Sequence, residues 1–141
     1  MPGAAASLSA AELATFGRDG FVFPFRACTP AATVRNRSAF DSLEAAHGKS
    51  NHFGVDEVPL HLAEPWAWEL ATSPAVLAAL RQLLPGGDIL CIASHLFCKY
   101  GSAEEAGEST AGAGAFVGWH QDLRFWGLQP SHVVTAFPGR C

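Results

Sequence analysis

Positive charge, long apolar runs and clustered cysteines are all scarce in this sequence. Nine Lys and Arg residues stand against thirteen Asp and Glu residues, for a formal net charge of −4, and the basic residues are scattered along the chain. This distribution lacks the basic patch with which proteins bind nucleic acid. No apolar run approaches the roughly 20 residues that span a bilayer, and the opening residues lack the basic and apolar regions of a secretory signal. We therefore expect a soluble, intracellular protein that has neither a nucleic-acid nor a membrane partner.

The four cysteines, at positions 28, 91, 98 and 141, include no C-x-x-C pair. Their spacing and low density match neither a disulfide framework nor a cysteine zinc site, so reduced thiols are expected. Of the 141 residues, 49% are hydrophobic and 16% are charged, which is a balance that can bury a core. The length suffices for one domain and is too short for two. The sequence therefore predicts a single folded domain.

Helix signals are concentrated in residues 9–88, which we predict to be mainly helical. Ser9 and Glu12 have the spacing of a capping box at the start of the first helix. Thr29 and Ser73, each followed by proline, have the pattern of an N-cap and a first helical residue for two further helices. The residues predicted to face the core are Val34, Phe40 and Leu43 in the second helix and Val76, Leu77, Leu80, Leu83 and Leu84 in the third.

Residues 89–137 carry strand signals instead. Residues 89–99 are a nearly continuous apolar run with the length and β-branched character of a buried strand. Residues 115–125 and 133–137 are the next two predicted strands, and the small, polar and acidic segment 101–114 is predicted to be a flexible loop. Helices followed by strands favour an α+β domain. Two further elements are predicted upstream, a short edge strand at 21–25 and a loop at 48–65.

The segment around position 120 contains residue types that bind metals. A strand projects alternate side chains from one face, so His120 and Asp122 would lie together. An imidazole nitrogen and a carboxylate oxygen can hold a divalent ion, and with a second, distant histidine they form the facial triad that leaves open positions on iron(II). The alternative is a structural pair joined by a hydrogen bond. Because an H-x-D pair also arises by chance, its surroundings decide between the two interpretations.

The pair lies in the stretch GAFVGWHQDLRFWGLQPSHVVTAF, which follows the run ILCIASHLFCK. Together these segments resemble the phytanoyl-CoA dioxygenase family, in which a lysine-containing strand, a glycine-rich connection and a W-H-Q-D segment followed by an aromatic-W-G-L occur in this order. The family's opening helix and strand are similar to LSAAELATFGRDGFVFPFRA, and its helix before the core is similar to LHLAEPWAWELATSPAVLAALRQLLPGGDIL. The resemblance covers about residues 8–137.

The resemblance implies N-terminal helices packed on a double-stranded β-helix, the jelly-roll or cupin-like fold. It also implies iron(II), 2-oxoglutarate as co-substrate, ascorbate as an optional reductant, and hydroxylation of a small organic substrate with release of succinate and carbon dioxide. His120 and Asp122 match the family's first two iron ligands. Lys99 matches the lysine that lies near 2-oxoglutarate in relatives, and a lysine in an apolar strand needs a partner for its charge.

Two family residues have no counterpart: the distal histidine that completes the triad and the arginine, about ten positions later, that holds the far carboxylate of 2-oxoglutarate. His132 and Arg140 have similar spacing, but His132 follows His120 by only 12 residues, and we predict that the pair does not replace them. We therefore expect one incomplete oxygenase-like domain over residues 1–141, in which 89–137 are the first core strands and the later strands are missing. No catalytic residue is assigned, and whether this chain is itself an enzyme stays open.

Two other functions remain as alternatives. One is a truncated, non-catalytic binding or regulatory fragment of such an enzyme, and the other is a cupin-like protein that binds zinc or manganese through the same pair. The substrate is not identified, since one fold hosts many substrates through loop variation.

The sequence also predicts the packing and exposure of several other side chains. Trp119 and Trp126 are predicted to pack in the core, and Gln121 is predicted to point away from the metal. His95, which shares a strand face with Lys99, is predicted to be either a cavity residue or a hydrogen-bonded core residue. The side chains predicted to be exposed are His47, His52, His61, Glu104, Glu105 and Glu108. The alternative for the three histidines is that one of them lines a substrate entrance.

Overall fold

Helices dominate the regular structure of the part of the chain that the computed structural model describes, residues 7–50, 52–53, 58–99, 118–129 and 132–139. The helices are α1 (Ala10–Asp19), α2 (Pro30–His47), α3 (Leu60–Ala63), α4 (Pro65–Ala71), α5 (Pro74–Leu83) and α6 (Asp122–Trp126). The strands β1 (His52–Phe53) and β2 (Leu96–Phe97) pair antiparallel, with His52 opposite Phe97 and Phe53 opposite Leu96.

The helix starts follow the sequence closely. At α1, the Ser9 hydroxyl accepts a hydrogen bond from the Glu12 N–H at 3.3 Å, while the Glu12 carboxylate accepts the Ser9 N–H at 2.7 Å. Gly20 ends α1 in the left-handed conformation, at φ 79°, which glycine adopts without strain. Thr29 and Ser73 cap α2 and α5 through their hydroxyls, and a proline follows in each first turn. The predicted starts of these three helices are confirmed.

A small core forms where α2, α3 and α4 meet. Leu43, Leu60 and Ala67 are 9%, 6% and 6% exposed and lie in contact with one another. The side chains packed against them are Phe53, Trp66 and Leu96. The strand pair therefore closes one side of the helical core.

The predicted buried face of α2 is only partly right. Leu43 is buried, and Phe40 is half-buried with its ring in edge contact with Phe53 at a centroid distance of 6.2 Å. Val34 is 66% exposed, so its predicted burial is wrong. At roughly 100° per helical residue, nine positions place Val34 on the side of α2 opposite Leu43. Asn36 lies on the side of Leu43 and is buried instead.

A long-range contact docks the N-terminal segment on α5. The Leu8 N–H donates to Gln82 Oε1 at 2.7 Å, and Gln82 Nε2 donates to the Leu8 carbonyl oxygen at 3.0 Å. Leu8 is 4% exposed, and on α5 itself Val76 is buried as predicted while the leucines of its apolar stripe are half-buried. The sequence gives no sign of this contact, because it joins positions 74 apart.

The strand predictions differ most from the structure. Within residues 89–99 only β2 forms a ladder, and residues 21–25 and 133–137 form no regular strand. A strand is stable only when a neighbouring strand pairs with its N–H and C=O groups, and among the described residues the only strand ladder on this run is the one with β1. The loop predicted at 48–65 is also interrupted, by β1 and by α3.

The α+β class and the jelly-roll remain predictions, because the loop 101–114 and residues 115–117 lie outside the described residues. The helix α4 was not predicted. None of the helices within the described ranges has the length and apolar character that crossing a membrane requires.

Candidate functional site

His120 and Asp122 come together at the start of α6. The distance from His120 Nε2 to Asp122 Oδ1 is 2.9 Å. The predicted strand over residues 115–125 is wrong where the structure describes it, since residues 118–121 are irregular and a helix begins at Asp122. Between the two, Gln121 has extended dihedral angles, φ −119° and ψ 115°. One extended residue sends its two neighbours to the same side, so the predicted pairing forms without the predicted strand.

A backbone carbonyl fixes the orientation of the His120 ring. Nδ1 of His120 lies 2.7 Å from the Gly118 carbonyl oxygen. Because a carbonyl oxygen only accepts hydrogen bonds, Nδ1 carries the proton. The 2.9 Å contact with Asp122 then requires a second proton, on Nε2, and loss of that proton frees the lone pair that ligates a metal.

The pKa of His120 is raised above its ordinary value. The hydrogen bond to the Gly118 carbonyl is the main cause, and Asp122 adds to it through its hydrogen bond and its negative charge, against a lowering by desolvation. The protonated ring donates from Nε2 to Asp122, so a proton and a metal ion compete for one position.

The second oxygen of Asp122 has a different partner. The Thr135 hydroxyl donates to Asp122 Oδ2 at 3.3 Å, across 13 positions of sequence. The side chains of His120 and Asp122 are 42% and 37% exposed. A solvated ion can therefore reach the pair from one side while protein groups hold it from the other.

The donor atoms fit two adjacent positions of a divalent metal ion. With bonds of about 2.1 Å, two ligands at a right angle lie about 3.0 Å apart, close to the 2.9 Å between His120 Nε2 and Asp122 Oδ1. A metal-bound histidine usually donates its other N–H to a carbonyl or carboxylate, and Gly118 provides that carbonyl. The separation of these two atoms thus matches adjacent positions on a divalent ion, and it also matches a direct hydrogen bond.

A third protein ligand is not assembled by the residues that the structure describes. No group of three or more His, Cys, Asp or Glu side chains close enough for one ion occurs among them. His132 is exposed and does not join the pair, as predicted. Arg140 lies outside the described residues.

Lys99 has a different environment from the one expected. Its side chain is exposed, so solvent stabilises its charge and no buried partner is required. A buried lysine would need an anion beside it, but Lys99 is not buried. Its contact with 2-oxoglutarate stays a prediction that rests on the resemblance.

The aromatic residues beside the pair are not packed as predicted. Trp119 is fully exposed, at 102%, and Trp126 is 36% exposed. Gln121 is exposed and borders a cleft of about 370 Å³ whose lining excludes His120 and Asp122. The direction of the Gln121 side chain relative to the pair stays a prediction.

A second polar cluster surrounds His61, whose predicted exposure is wrong. The residue is 7% exposed, and its Nδ1 lies 2.8 Å from the Ser94 hydroxyl and 3.7 Å from the Cys91 sulfur. Its ring stacks on Trp68 at a centroid distance of 6.3 Å. Burial raises the pKa of Cys91, which favours an unreactive thiol. Sequence reasoning missed this cluster because its members lie up to 33 positions apart.

The remaining histidines add no ligand to either cluster. His47 is exposed at the end of α2, as predicted. His95 is half-buried with its ring edge on Phe97 at 6.2 Å. The predicted exposure of the His52 side chain and of Glu104, Glu105 and Glu108 falls outside the described residues.

Comparisons with known proteins identify no relative of this chain. No family model, curated protein or solved structure matches the chain. The resemblance to the phytanoyl-CoA dioxygenase family therefore rests on the motif around His120 and on the segments before it.

Proposed function

We propose that this chain provides two iron ligands, His120 and Asp122, of an iron(II)- and 2-oxoglutarate-dependent oxygenase similar to the phytanoyl-CoA dioxygenase family. The observation that carries the proposal is the 2.9 Å approach of His120 Nε2 to Asp122 Oδ1. The reaction would be hydroxylation of a small organic substrate. When bound, iron(II) would supply the site at which dioxygen is reduced, with one oxygen atom entering the substrate hydroxyl group, the other entering succinate, and carbon dioxide released from 2-oxoglutarate.

The roles of the protein groups follow from their charges and contacts. His120 donates through a neutral nitrogen whose orientation is fixed by the Gly118 carbonyl at 2.7 Å. Asp122 brings one negative charge, which offsets half of the charge of a divalent ion. Two protein ligands hold an ion more weakly than three, so a further ligand would strengthen the site and leave positions for 2-oxoglutarate and oxygen.

The proposed fold for this function is the jelly-roll, in which residues 89–99 and 133–137 would belong to the sheet. Outside β2, neither segment has a ladder partner among the described residues. A strand edge without a ladder partner can accept a neighbouring strand. Lys99, at the end of the first segment, is the proposed contact for 2-oxoglutarate.

A second function, binding or regulation without turnover, is favoured by another observation. Both carboxylate oxygens of Asp122 already have a protein partner. Oδ1 lies 2.9 Å from His120 Nε2, and Oδ2 accepts the Thr135 hydroxyl at 3.3 Å. A histidine and an aspartate joined in this way can have a structural role without a metal. A cupin-like zinc or manganese protein would use the same pair with a different ion.

The test measures metal binding and turnover on the whole chain. Mn²⁺ titration, followed by calorimetry, reports binding, and incubation with iron(II), 2-oxoglutarate and ascorbate reports turnover as succinate. We expect wild type to bind Mn²⁺ and His120→Ala to lose that binding, and any succinate that wild type forms should depend on His120. His132→Ala is the matched control, since His132 lies outside the pair, and it should behave as wild type.

The outcomes separate the functions. Succinate that depends on His120 sustains the oxygenase proposal. Metal binding without succinate favours the binding or regulatory function, and preferred retention of zinc favours the cupin-like protein. Absence of both binding and succinate from wild type would overturn the proposal.

A further inference from the structure

The two carboxylate oxygens of Asp122 have separate partners. Oδ1 lies 2.9 Å from His120 Nε2, and Oδ2 accepts a hydrogen bond from the Thr135 hydroxyl at 3.3 Å. The Thr135 hydroxyl belongs to the irregular segment 132–139, and Asp122 is the first residue of α6. The contact therefore comes from a different part of the chain than either proposed ligand.

Rotation of an aspartate about its last side-chain torsion is only weakly restricted, because that torsion has a broad, roughly two-fold profile. Without a partner for Oδ2, the carboxylate can turn about this torsion and tilt about the preceding one until both oxygens face one cation. A hydroxyl that donates to Oδ2 opposes that rotation, since the rotation breaks the hydrogen bond. Oδ1 is then the oxygen that remains next to His120 Nε2.

We propose that Thr135 is a positioning residue that makes Asp122 bind a divalent cation through one oxygen, Oδ1. This inference rests on the proposed function, in which His120 and Asp122 are metal ligands. Thr135 does not touch the metal and acts through Asp122.

The consequence is a preference among cations. Ca²⁺ accepts bidentate carboxylates and 6–8 oxygen ligands, whereas smaller ions prefer near-octahedral sites with single oxygens. A carboxylate held to one oxygen favours Mn²⁺, Co²⁺ and iron(II) over Ca²⁺. Loss of the Thr135 hydroxyl should therefore weaken binding of the smaller ions more than binding of Ca²⁺.

The experiment compares three variants of the whole chain with wild type. Thr135→Val removes the hydroxyl and keeps the shape, and Thr135→Ser keeps the hydroxyl. Thr33→Val is the matched control, because the Thr33 hydroxyl donates to the Thr29 carbonyl within α2 at 3.1 Å, far along the sequence from the site. Thermal denaturation of each variant is measured first. Because Thr135 is exposed, both of its substitutions should leave the folded state intact.

Mn²⁺ and Ca²⁺ affinities are then measured by calorimetry, and Co²⁺ coordination by visible absorption. We expect Thr135→Val to weaken Mn²⁺ binding by about 10- to 100-fold, the usual effect of removing a partner of a metal ligand, with a smaller loss for Ca²⁺. The Co²⁺ absorption of this variant should lose intensity, because a bidentate carboxylate raises the coordination number. Thr135→Ser and Thr33→Val should keep the wild-type spectrum.

A Thr135→Val protein with wild-type Mn²⁺ affinity and a wild-type Co²⁺ spectrum overturns the positioning role and leaves the metal site intact. The same follows if Thr135→Ser changes the spectrum as much as Thr135→Val, since the hydroxyl is then not the cause. Failure of wild type to bind any of these ions overturns the proposed function itself, and the positioning role with it.

Discussion

Residues 9–83 and residues 118–139 are held by different kinds of contact. In the first region, helices begin at side-chain caps and bury Leu43, Leu60 and Ala67 against one another. In the second, none of the residues with described burial is buried, and the contacts are hydrogen bonds around Asp122. The comparison teaches that stability and the candidate chemistry reside in separate parts of the chain. Changes in the first region should alter unfolding, and changes in the second should alter metal binding.

The largest expected effect on stability comes from Leu60→Ala. Leu60 is 6% exposed and belongs to the core, so its removal should lower the free energy of unfolding by about 2–4 kcal/mol. Leu62 in the same short helix is 66% exposed, and Leu62→Ala is the matched control with little expected effect. Urea denaturation followed by circular dichroism measures both. Equal losses in the two variants would show that α3 is not packed as described.

Ser94→Ala should have the next largest effect. The Ser94 hydroxyl accepts the backbone N–H of His61 at 2.8 Å and lies 2.8 Å from its ring nitrogen. Removing it leaves polar groups of a residue that is 7% exposed without that partner, at a cost of about 1–3 kcal/mol. Ser42→Ala removes a hydroxyl that only bonds its own helix and should be close to neutral in the same denaturation experiment.

Ser9→Ala tests whether the helix starts contribute energy or only mark boundaries. Loss of an N-cap hydroxyl costs about 1 kcal/mol, because the backbone N–H at the third helical position loses its acceptor. Ser7→Ala, two residues earlier and outside the capping box, is the control. A midpoint of urea denaturation unchanged by Ser9→Ala would contradict the assigned cap.

The pH dependence of the same cap follows from Glu12. Its pKa is lowered, first by the hydrogen bond with the Ser9 side chain and then by that with the Ser9 backbone. A carboxyl whose folded pKa is depressed contributes stability above its unfolded pKa and loses that stability as pH falls through the folded pKa. The difference between wild type and Glu12→Gln should therefore shrink on acidification, which denaturation at pH 7 and at acidic pH measures. A difference that grows in acid would have the wrong sign.

The smallest effect on stability is expected in the second region, from Asp122→Asn. The side chain is 37% exposed, and ion pairs at such exposure contribute little to folding. Unfolding should stay unchanged while Mn²⁺ binding is lost, which sharpens the contrast between the regions. Asp19→Asn is the control, since Asp19 is also a partly exposed, ion-paired aspartate, and it should affect neither property. Marked unfolding of Asp122→Asn would instead indicate a structural role.

Part of this fold could be predicted from residues that lie close together along the chain. The cap at Ser9 and the proline starts of α2 and α5 depend on residues within one helical turn, and all three appear where predicted. The strands depend on distant partners, and the predicted strands at 21–25 and 133–137 have none among the described residues. The same limit explains why the burial of His61 was missed, since Ser94 covers it from 33 positions away.

The candidate site contains one confirmed prediction and one wrong prediction within a few residues. The proximity of His120 and Asp122 was predicted from alternation, and one extended residue, Gln121, is enough to produce it. The prediction that Trp119 packs in the core was wrong, because packing requires a covering element and the indole is fully exposed. The contact from Thr135 had no signal in the sequence, since an irregular segment brings it to Asp122.

By itself, the sequence determined the starts of α1, α2 and α5 and the spacing that lets an imidazole and a carboxylate meet, because these depend on dihedral angles and hydrogen bonds over a few residues. Only the tertiary structure decided which side of α2 is buried, that Leu8 docks on Gln82 and that the two oxygens of Asp122 have different partners. The physical reason is that burial and partner choice depend on groups far apart in the chain, which only the folded backbone brings within contact distance.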